Sequence, residues 1–200
     1  AMGDHRLQDA LVRVHVLFRD ADTLGSLIDP RAFSELLDPS GVQASIFDVP
    51  WAEVSPLIAR AVGREHSDPA GAVLGADVAS TAIAADLLSR TYVLVATNVP
   101  YLGITNYGDL LREYIERRFG PTRHELGYSM TARWLFSPAS HSTIAVVCPS
   151  DWLDAPSVEE TRRSWLSAGG VSVVARLGYK SFLTKLRVNP SLLIASPKNG

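Results

Sequence analysis

The sequence predicts an α/β fold for the second half of the chain, preceded by a helical segment. Three observations predict it. Tyr92-Val-Leu-Val-Ala96 is a short, continuous apolar run, the form taken by a buried parallel strand. Beyond it, apolar runs of strand length alternate with patterns at helical spacing, the signature of helices packed on a sheet. Before residue 90 the apolar residues recur at helical spacing, and Ala44–Phe47 alone reads as a candidate strand.

In the first part, Leu7, Leu11, Val14 and Phe18 share a helical face, as do Val54, Leu57, Ile58 and Ala61. Pro30, Pro39 and Gly41 break the chain between such runs. The Ala-rich stretch Ala76–Leu88 spaces Val78, Ile83 and Leu87 for one buried face. Ala1-Met2-Gly3 reads as an expression scar, so the helical segment is taken as residues 4–90 and the α/β part as 91–200. In that second part Asp109–Phe119 places Leu110, Leu111, Tyr114 and Ile115 for a helix, and Gly120-Pro121 stops it. A second helical pattern runs from Leu126 to Phe136. Strands are expected at Thr143–Cys148, Val171–Leu177 and Ser191–Ala195, with a helix at Val158–Ala168.

Hydrophobic residues make up 46% of the 200 and charged residues 20%, a globular rather than a disordered balance. No apolar run approaches the roughly 18 residues of a membrane span, and no basic-then-apolar leader opens the chain. A single cysteine, Cys148, excludes an internal disulfide and a cysteine-based zinc site, which fits a reducing, cytoplasmic setting. The five histidines show no metal-ligand spacing, so no metal is expected. Net charge is −2, which argues against an indiscriminate nucleic-acid binder. That charge is uneven: residues 1–90 carry a net of −6 and residues 91–200 a net of +4. A DNA-facing surface, if the chain has one, belongs to the second part.

The residues that suggest chemistry follow the first strand: Asn98-Val99-Pro100-Tyr101-Leu102-Gly103. Ligand sites of open α/β sheets form where loops leave the carboxyl ends of strands. An Asn side-chain carbonyl can accept one hydrogen of an exocyclic amine, and a backbone carbonyl the other. Pro100 stiffens the turn that presents them. The Tyr101 ring offers a stacking face for a base rotated out of a duplex. Asn-X-Pro-Tyr also makes an ordinary turn, and these residues alone leave both readings open.

With its surroundings, the tetrapeptide resembles the Asn-Pro-Pro-Tyr motif of class I S-adenosylmethionine-dependent DNA adenine methyltransferases. The likeness is to the large enzymes of BREX-type phage defence and of fused restriction–modification proteins. Phe18–Ile28 resembles the segment before their catalytic strand, and Tyr92–Gly103 that strand and its loop. Glu125–Leu153, ending Cys148-Pro-Ser-Asp-Trp-Leu153, resembles the helix, strand and Trp-Leu turn that come next. Leu177–Phe182 and Asn189–Ile194 resemble the final strand pair. The resemblance implies a partial Rossmann-like methyltransferase sheet, strands four to seven, with DNA as partner and S-adenosylmethionine as donor. It implies that Asn98 and the Val99 carbonyl accept the target amine while Pro100 and Tyr101 complete the base site, and that Phe182 adds a second wall. Val99 departs from the family, which has proline there; a backbone carbonyl survives that change, but rigidity is lost. Phe182 is equally readable as core.

Arg112, Arg117, Arg118 and Arg123 follow the loop and are candidates for DNA phosphates, or for an ordinary solvated face. The donor's Gly-rich turn is not evident. Asp68-Pro-Ala-Gly-Ala-Val-Leu-Gly75 has the glycines, but no strand is predicted before it and it lies close to Asn98, so it reads as a helix entry. The expectation is therefore the target-base half of a methyltransferase, the donor site belonging to a preceding segment or a partner chain. The alternative is a catalytically degenerate DNA-binding or interaction module of a defence system.

Overall fold

In the computed structural model the structure describes residues 15–30, 80, 81, 83–136, 142–168, 170–179, 181, 182 and 189–196. The chain forms two compact units, Ala1–Arg90 and Thr91–Gly200.

The described residues of the first unit are helical or turn. A short helix, Ala21–Leu24, runs into a 3-10 turn, Gly25–Leu27, and Leu24, Leu27 and Ile28 are buried. Residues 83–89 are helical, with Ala85 buried. Arg90 pairs with Asp86 one turn earlier at 2.5 Å. No strand occurs among the described residues of this unit. The patterns at Leu7–Val14 and Val54–Ala61, the candidate strand Ala44–Phe47 and the segment Asp68–Gly75 lie outside the described residues.

The second unit is a mixed α/β structure built on one open four-stranded sheet. Its strands are β1 (Leu94–Asn98), β2 (Thr143–Pro149), β3 (Val171–Arg176) and β4 (Pro190–Ala195), in the spatial order β1-β2-β4-β3. β1 and β2 are parallel; β4 runs antiparallel to both β2 and β3. The carboxyl ends of β1, β2 and β3 therefore share one edge of the sheet. Three helices accompany it: α1 (Asp109–Phe119), α2 (Leu126–Leu135) and α3 (Glu159–Ser167).

Local signals explain the helix ends. α1 opens with Asp109 and closes with Arg117 and Arg118, each charge placed to complement the helix dipole. α3 has Glu159 and Glu160 in its first turn, and Pro156 starts the 3-10 turn Pro156–Val158 that leads into it. β1 lies two residues later than its apolar run suggests, so Asn98 is the last residue of the strand rather than the first of the loop. The run also reads as buried, yet Val93 is 87% exposed and Leu94 56%. Among the described residues β1 is an edge strand, paired on one side only.

The core lies on one sheet face. Ile144, Val146 and Cys148 of β2 alternate inward and meet Leu193 and Ala195 of β4. Tyr128 and Leu135 from α2, Trp165 from α3, and Trp152 cover them. The aromatic rings interlock: Trp152 and Trp165 centroids are 5.0 Å apart, and Tyr128 meets Trp165 edge-on at 5.5 Å. Trp152 Nε1 donates to Ser191 Oγ at 3.0 Å, tying the turn after β2 to β4. No described helix is long and apolar enough to cross a membrane.

Candidate functional site

Asn98 ends β1 opposite Val147, at the edge where strands leave by their carboxyl ends. Its side chain is exposed and has no bonding partner among the described residues. Val99 continues the ladder, its N–H donating to the Val147 carbonyl at 3.1 Å. The Val99 side chain is 3% exposed and belongs to the core. That placement gives the valine a structural role: it anchors the loop from beneath. No described residue donates to the Val99 carbonyl, so Asn98 and that carbonyl stand as two adjacent acceptors without internal partners.

Pro100 is exposed and Tyr101 half-buried. The Tyr101 ring packs against the core cluster, and its hydroxyl is buried without a partner among the described residues. Burial, with the Cys148 and Glu125 side chains nearby, pushes that phenol up to about 12, so it stays neutral and protonated. Only part of the ring remains free for stacking, since its hydroxyl end is spent on the interior. Tyr107 is buried too, its hydroxyl without a partner among the described residues; burial, and after it Glu125, raises its pKa as well.

The loop is held by residues that composition and periodicity did not single out. The Ile104 N–H donates to the His124 carbonyl at 3.0 Å, and the Leu126 N–H to the Leu102 carbonyl at 2.9 Å. Gly103 and Glu125 thus form an isolated antiparallel bridge. The Leu102 N–H donates to the Glu125 carboxylate. Gly127, in the first turn of α2, sits flush on the loop: a Cβ there would lie 2.7 Å from Val99 Cγ2 and 3.0 Å from the Pro100 carbonyl oxygen. Gly127 carried a readable signal, because a glycine inside a helical pattern usually has a packing reason. Glu125 carried none, for its partner is 23 residues away.

The four candidate arginines do not form one group. Arg112 donates to the Ile104 carbonyl at 2.8 Å and braces the turn Ile104–Asn106. Arg117 and Arg118 lie at the far end of α1, about 8 Å further along its axis. Arg117 is exposed there. Arg123 donates to the Gly120 carbonyl at 2.8 Å and faces Glu160 at 3.6 Å. Phe182 is half-buried, six residues beyond the end of β3. The strand order puts β2 and β4 between β1 and β3, a lateral offset of roughly 14 Å between the strands that precede Asn98's loop and Phe182. Tyr179, after Gly178 with φ +80°, is the more exposed aromatic of that turn at 69%. Arg176, the last residue of β3, is paired with Asp154 at 2.6 Å.

Cys148 is fully buried, and burial pushes its thiol up to about 11. Native protein at about pH 8, below that value, is therefore expected to resist iodoacetamide, with alkylation appearing only in denaturant; rapid native modification would contradict this burial. Among the described residues no cluster of His, Cys, Asp and Glu could hold a metal ion. No protein-family model matches the chain, and no curated protein matches it in sequence.

Proposed function

We propose that the Asn98–Gly103 loop accepts the exocyclic amine of a flipped adenine, and that the chain is the target-base part of a DNA adenine methyltransferase. One observation carries the reading: an exposed Asn98 side chain stands at the carboxyl end of a parallel strand, beside the Val99 carbonyl, and neither has a bonding partner among the described residues. Both are oxygen acceptors, and an amine has two hydrogens to give. Aligning that amine leaves its lone pair free of both acceptors, which requires orientation rather than a strong base. The neutral Tyr101 hydroxyl is compatible with this, since the amine reacts as a neutral nucleophile and the surplus proton of the methylated amine is released to solvent only afterwards. The sheet, with its loop after the first of four strands, is consistent with the second half of a Rossmann-like methyltransferase sheet.

S-adenosylmethionine is the donor in this reading. The described strands leave through Asn98-Val99-Pro100, Ser150-Asp151-Trp152 and Leu177-Gly178-Tyr179. None of these is the Gly-rich turn that lets backbone approach a nucleoside closely. The described residues account for the acceptor side alone, and the donor is assigned to residues outside them or to a partner chain.

A second reading, a DNA-binding or interaction module without catalysis, is favoured by the inward turn of Tyr101, which leaves less ring for a base. The test measures donor binding by calorimetry and tritiated methyl incorporation into unmodified DNA. It uses the chain alone and with any polypeptide encoded in frame upstream. Methylation at adenine N6 that Asn98→Ala lowers at least a hundredfold is the expected result, the scale for losing a group that orients the reacting atom. DNA binding without methyl transfer in every combination would sink the enzymatic reading and leave the second.

A further inference from the structure

We propose that Glu125 is the positioning residue of the Asn98–Gly103 loop, its carboxylate fixing Leu102 and through it the two amine acceptors. Glu125 occupies the N-cap of α2, where Ser, Thr, Asp or Asn would close the helix with a short side chain. It makes no such cap bond. Its side chain instead reaches the Leu102 N–H, a loop donor that the neighbouring backbone bridge does not use. The main chain on either side completes the clasp, with Ile104 bonded to His124 and Leu126 to Leu102. Glu125 Oε2 also lies where it would be 3.7 Å from a Cβ at Gly103, so the carboxylate fits closely along the loop. Gly127, two residues on, presses the same loop from the α2 side.

The carboxyl group is held above the ordinary glutamate range, first by burial and then by Asp151, while the Leu102 N–H pulls the other way. Tyr101 and Tyr107 are near it as neutral phenols, and Arg112 acts on Tyr107 in the opposite sense to Glu125. The sign follows. A raised folded-state value makes the protonated group the one the fold prefers, so this contribution is full below the ordinary value and declines as pH rises through the raised one. The clasp thus tolerates a neutral acceptor. Glutamine, which keeps a carbonyl oxygen for Leu102, substitutes for the glutamate; alanine does not.

The functional consequence rests on the reading of Asn98 and Val99 as amine acceptors, but the clasp does not, and the experiment separates them. 3-Fluorotyrosine is incorporated at Tyr101, and its 19F resonance is followed from about pH 4 to about pH 8 in wild type, Glu125→Gln and Glu125→Ala. Affinity for a single-stranded oligodeoxyadenylate is measured by anisotropy on the same proteins and on Asn98→Ala. The wild-type resonance is expected to step at a pH above the usual glutamate value. Glu125→Gln should show one unstepped position near it, and Glu125→Ala a displaced or broadened signal. Oligonucleotide affinity should fall about tenfold in Glu125→Ala and stay within about threefold in Glu125→Gln, the pattern of a lost orientation rather than a lost contact. If the alanine and glutamine variants give the same Tyr101 signal, the clasp is overturned, whatever the affinities. If the signals behave as expected but Asn98→Ala binds the oligonucleotide like wild type, the clasp stands and the amine-acceptor reading falls.

Discussion

Trp165→Ala is expected to lower the unfolding free energy of the second unit by roughly 3–5 kcal/mol, the usual cost of emptying a large aromatic site. Trp165 is completely buried, bridges Tyr128 of α2 and Trp152 of the turn after β2, and is the means by which α3 touches the sheet core. Against a total stability of about 5–15 kcal/mol, that loss removes much of the margin. Two aromatic contacts add to the area term. A milder pair of variants distinguishes the two tryptophans. Trp165 Nε1 is buried and finds no partner among the described residues, so Trp165→Phe relieves an unpaired donor while shrinking the ring. Trp152→Phe, by contrast, forfeits the bond to Ser191. An unpaired buried donor costs about 1–3 kcal/mol, so Trp165→Phe should be the less damaging of the two. Urea titration followed by far-UV circular dichroism measures all three. A Trp165→Ala loss below about 1 kcal/mol would show that this residue is not central to the core.

Gly127→Ala is expected to destabilise even though alanine is the better helix former. Helix propensity favours the change by at most about 1 kcal/mol, and less in a first turn. Against it stands a Cβ placed 2.7 Å from Val99 Cγ2 and 3.0 Å from the Pro100 carbonyl oxygen. Val99 is buried and Pro100 is backbone-rigid, so neither can swing aside cheaply. Overpacking of this kind costs about 1–3 kcal/mol, and here it is relieved by pushing the loop outward. The variant should therefore weaken the site as well as the fold. Val99→Ala removes the nearer obstacle, so in that background Gly127→Ala should cost less, with a coupling of at least about 0.5 kcal/mol. Strict additivity in the double-mutant cycle would mean that the close approach does not constrain the loop.

Much of the second unit was readable along the chain. The helix Asp109–Phe119 carries its own start charge, stop signal and apolar stripe, and it forms between those residues. The strands Thr143–Pro149, Val171–Arg176 and Pro190–Ala195 fall within a residue or two of their apolar runs. The tetrapeptide Asn98–Tyr101 was legible as a candidate because residue type and position after a strand are both local. Periodicity, capping and turn chemistry act over a few residues, and a sequence displays them directly.

The tertiary structure decided what depends on distant partners. It set β4 between β2 and β3, and so put β3, the strand before Phe182, three places from β1 in the sheet. It carried β1 through Asn98, because that strand's extent is set by its ladder to β2 rather than by hydrophobicity. It turned the Tyr101 hydroxyl inward, buried Val99 beneath Gly127, and drew Arg112 onto the Ile104 carbonyl. It also joined Glu125 to Leu102, across 23 residues of chain. A local pattern states which face of an element is apolar. Which groups meet across the fold follows only once packing has closed the loops between them, and no short-range signal encodes that closure.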